Sequence, residues 1–146
     1  MRVEKRRFER TTLVEKEFFI AEDGTEFEQR WDCINYERTQ ARKEGEGFLI
    51  TKPEVEGRRN IDGGEYPEDR GYYWYFVRNE ADAEILNRIF NPDYDDFVNY
   101  IGKWVCVEES DDSSWISSLD NGIEYAKKLL EDFGYNVQIT RKEEAK

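Results

Sequence analysis

Histidine is absent from the 146-residue chain, and this absence excludes several kinds of active site. Without an imidazole there is no Ser-His-Asp or Cys-His catalytic machinery and no zinc site that uses histidine. Cysteine is nearly as scarce, because Cys33 and Cys106 are the only two and lie too far apart for a metal-binding or redox motif. We expect both to be small buried hydrophobic residues, with a disulfide between them as the alternative.

Other familiar signals are missing as well. The glycine clusters "GEG" and "DGG" lack the following Lys-Ser/Thr and the helix of a phosphate-binding loop. The first residues are charged instead of apolar, so we expect no secretory leader. No apolar run approaches the roughly 20 residues needed to cross a bilayer. We therefore expect a cytoplasmic protein that does not bind membranes and carries no cofactor.

Basic residues are scarce in the second half of the chain, although the whole sequence has a net charge of −12. Residues 1–63 carry 13 basic and 15 acidic groups, whereas residues 64–146 carry 9 basic and 19 acidic groups. Between Asn79 and Glu124 only Arg88 and Lys103 are basic. Such a one-signed field repels nucleic acid and attracts cationic partners. Direct binding of nucleic acid by the acidic half is therefore not expected.

The strands and loops predicted from the sequence indicate an α+β fold in a single domain over residues 1–146. Alternating and continuous apolar segments predict strands at 2–10, 12–21, 72–77, 103–109 and 135–140, with a short one at 48–51. We expect a mixed or largely antiparallel sheet of about five strands. Residues 44–71 contain six glycines and two prolines, which favour a long loop or loose hairpin.

Two to three main helices are expected to lie on this sheet. Thr25 resembles the start of a capping box for a helix reaching about Lys43, with Trp31 facing the core. Asn79 is placed to cap a second helix over 80–90, and a short helix is predicted at 93–101. A third helix follows a second capping box at 117–120, and Gly134 ends it. Its apolar stripe consists of Leu119, Ile123, Ala126, Leu130 and Phe133.

The segment "NPDYDDFVNY", residues 91–100, combines three carboxylates with three aromatic side chains. A calcium loop is disfavoured, because the glycine and the terminal glutamate that such a loop needs are missing. A glycosidase-like pair of acids remains conceivable among Glu108, Glu109, Asp111 and Asp112, beside Trp104 and Trp115, but nothing in the sequence fixes the separation of two carboxylates. Neither pattern establishes an enzyme, and we expect a protein without catalytic activity.

The excess of acid over base suggests a binding surface instead. Helix dipoles favour acids at helix starts, yet they do not require the near absence of bases between residues 79 and 124. We expect acids that steer a cationic partner and a few aromatic side chains that anchor it. The predicted contact face consists of Asp93, Tyr94, Asp95, Asp96, Glu108, Glu109, Asp111, Asp112 and Trp115.

Two segments of the chain are similar to phage gene products. These segments are "FFIAEDGTEFEQRWDCINYE" and "YYWYFVRNEADAEILNRIF", the second followed by "YIGKWVCVEE". In its short, acidic, cysteine-poor and aromatic-rich character the chain resembles small phage-encoded anti-defence proteins, of which anti-CRISPR proteins are the best-known group. That group shares no common motif, so the resemblance assigns no functional residue to a position here.

The resemblance implies an inhibitor that binds a basic nucleic-acid-binding protein, a CRISPR effector nuclease above all, in the cytoplasm of a bacterial host. It would block DNA binding or cleavage by occupying the cationic groove, as a monomer or homodimer. Two alternatives stay open. One is an accessory module that makes ordinary protein–protein contacts, with acidity serving solubility, and the other is a carboxylate-based hydrolase.

Overall fold

The fold was analysed in a computed structural model that describes residues 1–8, 14–61, 71–110 and 113–142. Within these residues, strands and helices form an α+β fold with three α-helices and two antiparallel sheets, which confirms the predicted class. The strands are divided between a three-stranded and a four-stranded sheet, where one sheet of about five strands was expected. The strands are β1 (Arg2–Phe8), β2 (Val14–Ile20), β3 (Glu26–Phe27), β4 (Ile50–Thr51), β5 (Gly71–Phe76), β6 (Trp104–Glu109) and β7 (Ser114–Ser118). The helices are α1 (Arg30–Gly45), α2 (Glu80–Phe90) and α3 (Leu119–Asp132), with 3₁₀ turns at Pro53–Val55 and Phe97–Tyr100.

The first sheet is a hairpin extended by one short strand. β1 and β2 pair in antiparallel register from Arg2 opposite Ile20 to Phe8 opposite Val14, as the two predicted strands required. Opposite charges face each other across this pair, and the Lys5 ammonium lies 3.5 Å from the Glu17 carboxylate. The chain turns after β2 at Asp23–Gly24, where Gly24 has a φ of +91° that suits glycine.

The predicted start of the first helix is wrong. Glu26 and Phe27, which follow Thr25, pair with β2 as strand β3, and α1 begins only at Arg30. The Thr25 hydroxyl donates to the Tyr36 hydroxyl at 3.4 Å instead of capping a helix. The helix buries Cys33, Ala41 and Gly45, whereas Trp31, which was predicted to face the core, is 55% exposed. The sequence resembles a capping box, but these residues pair with β2 as a strand instead of beginning a helix.

The second sheet has the order β4-β5-β6-β7, so the aromatic strand β5 lies in its interior as predicted. Trp74 lies opposite Cys106 in the antiparallel register of β5 and β6. β7 was not predicted, because residues 114–118 resemble a continuation of the loop that contains Asp111 and Asp112. A strand predicted at 135–140 does not form. A strand needs a neighbour to receive its backbone hydrogen bonds, and in the described chain this segment pairs with no other strand.

The main core lies between the second sheet and α2, and α1 packs against α2 as well as against β2 and β3. Asn79 caps α2 as predicted, because its side-chain oxygen accepts a hydrogen bond from the Asp82 amide at 3.0 Å. Phe90 is buried among the rings of Tyr73, Tyr75 and Phe97. The other buried members of this core are Ala41, Val77, Ala83, Ile85, Leu86, Ile89, Val105 and Val107.

Asp82 is a buried acid that the sequence presented as an ordinary surface residue at a helix start. Its side chain is 0% exposed and lies beside Arg78. The Arg78 guanidinium donates through Nε at 2.8 Å and through Nη2 at 2.9 Å, and the Arg78 backbone amide donates at 3.0 Å. These hydrogen bonds from Arg78 lower the pKa of Asp82 despite its burial. The pair fixes the first turn of α2 to the end of β5.

The segment predicted as a long loop, 44–71, is partly ordered by the second sheet. Its short strand lies at Ile50–Thr51, within the predicted 48–51. Further along, the Trp74 indole donates to the Arg58 carbonyl at 2.6 Å. Asn60 is buried and donates to the Ser118 carbonyl at 2.8 Å. Residues 62–70 lie outside the described part of the chain.

The third helix begins as predicted and ends at a left-handed glycine. The Ser118 hydroxyl accepts from the Asn121 amide at 3.1 Å, and Gly134 has a φ of +92°. The apolar stripe, however, is only half-buried near the start of α3 and exposed near its end, where Leu130 and Phe133 reach solvent. The helix packs against β6 and β7.

The two cysteines are free and buried, as the sequence predicted. Cys33 lies on α1 and is 0% exposed, while Cys106 lies in the middle of β6 and is 2% exposed. The alternative of a disulfide is therefore wrong.

Candidate functional site

The acidic loop, which we define as residues 91–96, turns the chain away from α2 and exposes its tip. Asn91 has a φ of 44° and ends the helix, and Pro92 follows it. Asparagine tolerates the left-handed conformation better than most residues, and proline cannot continue a helix. Asp93 is exposed and the Tyr94 side chain is 99% exposed. The structure thus places the tyrosine of the predicted contact face fully in solvent.

Asp95 and Asp96 hold this loop in shape. The Tyr100 hydroxyl donates to Asp95 at 2.5 Å, and both the burial of Tyr100 and this acid raise the pKa of the tyrosine. Asp96 caps the following 3₁₀ turn by accepting from the Val98 amide at 2.9 Å. Asn87 of α2 also donates to Asp96, at 2.7 Å. The Val98 and Asn87 hydrogen bonds lower the pKa of Asp96, so it is ionised at neutral pH.

Glu108 and Glu109 do not form a common surface. They are consecutive residues of β6, and consecutive side chains of a strand point to opposite faces of the sheet. Glu109 pairs with Arg42 of α1 at 2.9 Å, so its charge is matched within the protein. Glu108 lies opposite Trp115 of β7, which is 49% exposed. The predicted contact face is therefore divided at these two glutamates, which lie on opposite faces of the second sheet.

Asp111 and Asp112, the remaining residues of the predicted face, lie outside the described part of the chain. The hydrolase alternative had used them together with Glu108 and Glu109. Since Glu108 and Glu109 point to opposite faces, these two acids cannot flank one substrate. Across the residues that the structure describes, no cluster of three or more metal-ligating side chains occurs.

A groove of about 880 Å³ lies between α1, α2, the turn after β2 and the acidic loop. Glu80 and Glu84 line it from α2, one helical turn apart, and Asp96 lines it from the acidic loop. The opposite wall carries acids and bases together. The charged residues of that wall are Glu22, Asp23, Arg30, Glu37 and Arg38, whereas Arg88 lines the groove from α2. The predicted contact face omitted Glu80 and Glu84, although their spacing of four residues on a capped helix indicates one exposed side.

Charge compensation differs between the two walls of the groove. Arg88 is the one base of residues 79–100, and it lies 2.7 Å from Glu44 and 4.0 Å from Glu22. Among the described residues, none of the acids Glu80, Glu84 and Asp93 has an ion pair. We use the term acidic surface for Glu80, Glu84, Asp93, Tyr94 and Asp96. Of these residues, Glu80, Glu84 and Asp96 line the groove, and Asp93 and Tyr94 belong to the same acidic loop as Asp96.

No family model, no curated protein and no solved structure matches this chain. None of the helices that the structure describes has the length and apolar character needed to cross a membrane. A function for this α+β protein can therefore be inferred only from the geometry and charge of its own residues.

Proposed function

We propose that this protein is a non-enzymatic inhibitor that binds the cationic nucleic-acid-binding surface of a bacterial defence complex. Support comes from one observation: the exposed carboxylates of Glu80, Glu84 and Asp93 have no ion pair to any residue in the described ranges, and Tyr94, which follows Asp93, is 99% exposed. Uncompensated charge on one surface lowers folding stability through self-repulsion. A cationic partner converts that unfavourable interaction into attraction.

The two kinds of side chain on the acidic surface have different tasks in this proposal. The carboxylates speed the encounter and select cationic partners, because long-range attraction acts mainly on association rate and specificity. Tyr94 supplies a large apolar contact with a hydroxyl at its tip, which is typical of the residues that dominate binding energy. Asp95 and Asp96 keep the loop in place through Tyr100 and Val98. Such a surface competes with phosphates for lysines and arginines.

The proposed target class is an RNA-guided CRISPR nuclease. Such enzymes hold a guide–target heteroduplex in a positively charged channel and read a short duplex motif with arginines. Both features are cationic surfaces that carboxylates can occupy. The resemblance to anti-defence proteins gives this class priority over other nucleic-acid-binding proteins, and the outcome of competition with target DNA tests it directly.

Reversing the charge of Glu80, Glu84 and Asp93 together, each to lysine, is expected to weaken binding to a guide-loaded CRISPR nuclease by about 100-fold, because attraction becomes repulsion. The measurement is a titration that follows displacement of labelled target DNA. A matched variant replaces Glu28, Glu54 and Glu124 with lysine, which changes the net charge equally at exposed positions elsewhere. That variant should keep most of the affinity.

Three results would remove the proposal. Equal loss of affinity in both triple variants would mean that overall charge, not this surface, governs binding. Affinity that does not change between low and high salt would favour an accessory module with an apolar interface, since screening weakens exposed charge pairs. Turnover of glycan or phosphoester substrates by the wild-type protein would favour the hydrolase alternative.

A further inference from the structure

The second half of α3 carries an exposed apolar ridge. Tyr125, Leu129 and Phe133 follow one another at intervals of four residues, so their side chains are neighbours along one side of the helix. Their exposed fractions are 51%, 43% and 76%, and Leu130 beside them is 43% exposed. We call these four residues the α3 ridge. In a water-soluble helix such a side normally faces a core.

Among the residues that the structure describes, α3 is buried near its start, and the ridge lies beyond that point. Gly122 is buried against the Asn60 side chain, and a Cβ atom added at Gly122 would lie 2.9 Å from the Asn60 Cγ atom. Ser118 caps the helix at the same end. Every residue of α3 from 127 to 132 is exposed, and Gly134 ends the helix. The ridge is thus held in a defined orientation by an anchored first turn.

The exposed apolar area is large enough to form much of an interface. Tyr125, Phe133 and Tyr135, which is 64% exposed, are three large aromatic residues close together in sequence. Since each aromatic side chain offers roughly 150–250 Å², their exposed fractions correspond to about 400 Å². Leu129, Leu130 and the 52% exposed Ile139 add to this area. A standard interface buries about 800 Å² on each partner, so the exposed apolar area of the ridge and the residues that follow it approaches the area that a stable dimer needs.

The charge of this part of the chain favours self-association. Residues 113–142 contain four acidic and four basic residues, so their net charge is zero although the whole chain carries −12. The acids are Asp120, Glu124, Glu131 and Asp132, and the bases are Lys127, Lys128, Arg141 and Lys142. A cationic partner gains no attraction here, and two copies can meet without the repulsion that the acidic surface would cause.

We propose that the α3 ridge is a homodimer interface in which two α3 helices pack antiparallel around a two-fold axis near Leu129. In this arrangement Tyr125 of one copy meets Phe133 of the other, and the two Leu129 side chains meet at the axis. Lys128 and Asp132 border the ridge on one side. Antiparallel packing brings Lys128 of each copy close to Asp132 of the other copy. The interface is self-complementary, as a two-fold axis requires. It shares no residue with the acidic surface.

The first test is sedimentation of the full chain at increasing concentration. The wild-type protein should be dimeric at micromolar concentration, and the variant with Leu129→Glu and Phe133→Glu should dissociate about 100-fold more readily. Its circular dichroism spectrum should not change, because both residues are already exposed. A matched variant with Tyr94→Glu and Val98→Glu alters two exposed residues elsewhere and should remain dimeric.

The second test exploits the bordering charges. Lys128→Glu alone and Asp132→Lys alone each place like charges opposite one another in an antiparallel dimer, and each variant should be largely monomeric. Mixing the two variants restores opposite charges at both contacts, so the mixture should form a heterodimer. If a substitution acted only within its own helix, mixing would not restore dimer formation, because each chain keeps its own substitution.

A wild-type protein that stays monomeric at every concentration reached in sedimentation would overturn the proposal. So would a mixture of the two charge variants that remains monomeric while the wild type is dimeric, since the dimer would then use another surface. Binding of the monomeric wild type to anionic phospholipid vesicles, lost with Leu129→Glu and Phe133→Glu, would reassign the ridge to a lipid surface.

Discussion

Replacing Arg78 with methionine is expected to lower the free energy of unfolding by about 3–5 kcal/mol at neutral pH, because it leaves a buried carboxylate without its cation. Asp82 is 0% exposed and receives three hydrogen bonds from Arg78. Only the backbone amide of residue 78 remains as a donor in the variant. Arg78 also donates to the Phe48 carbonyl at 2.8 Å, which adds to the loss. Chemical denaturation of both proteins measures the difference.

The loss of unfolding free energy in the Arg78→Met variant should depend on pH, because the Arg78–Asp82 pair shifts the pKa of Asp82. In the wild type the pKa of Asp82 is lowered, so its contribution is complete above the ordinary aspartate pKa and is lost as the pH falls through the lower folded value. In the Arg78→Met variant, burial without a cation raises the pKa of Asp82 above the ordinary value. The variant should therefore gain stability as the pH falls from 7 towards 4, and the difference from the wild type should narrow.

A second substitution provides the control. Asp82→Asn added to Arg78→Met removes the buried charge, so the double variant should be more stable than Arg78→Met alone at pH 7. Its stability should also vary less with pH. If the double variant is no more stable than the single one, the loss comes from the Phe48 contacts of Arg78 and the buried charge is not its cause.

Replacing Phe90 with alanine is expected to cost about 3–5 kcal/mol of unfolding free energy, because it empties the centre of the main core. Phe90 is 1% exposed and lies against three aromatic rings, with centroids 5.6 Å from Tyr73, 5.8 Å from Tyr75 and 6.1 Å from Phe97. The Arg42 guanidinium lies 5.3 Å from its ring centroid. A chain of this size should lose about 10 °C or more in melting temperature.

Tyr94→Ala is the matched control, since Tyr94 is an aromatic residue four positions later with 99% exposure. Its effect on stability should lie within about 0.5 kcal/mol of zero. Comparable losses in the two variants would contradict the assignment of Phe90 to the core and Tyr94 to the surface. The same Tyr94 variant is useful in binding experiments because its fold is expected to be intact.

Local signals in the sequence were sufficient to predict those elements whose structure depends on residues close by in the chain. The helix over Glu80–Phe90 was predicted with its Asn79 cap, because an asparagine before an amphipathic segment satisfies the free amides within three residues. Gly24 and Gly134 mark a turn and a helix end for a similar reason, since both adopt left-handed backbone conformations. Strands β1, β2, β5 and β6 were also found from their patterns.

Predictions failed where a distant segment decides the structure. Thr25 resembles a helix cap, yet β2 offers an edge that pairs with Glu26 and Phe27. The segment 135–140 alternates like a strand but has no partner strand in the described chain. Conversely, β7 has weak strand character and forms because β6 presents an open edge. In each case the availability of a sheet edge outweighs local preference.

The candidate site was only partly predictable. The exposure of Asp93 and Tyr94 follows from a helix end at Asn91 and Pro92, which the sequence displays. The separation of Glu108 from Glu109 follows from the two-residue period of a strand and was available before the structure. The groove beside Glu84 was not, because it forms only when α1 packs against α2. The burial of Asp82 depends on the same tertiary arrangement.

The two free thiols make each half of the molecule separately observable. Cys33 belongs to the helix that contacts the three-stranded sheet, and Cys106 to the centre of the four-stranded sheet. Burial raises the pKa of Cys33, so its reactive thiolate is scarce until α1 opens. The alkylation rates of the Cys33 and Cys106 sulfur atoms therefore report separately on local opening around each thiol. No label has to be introduced to compare the two rates.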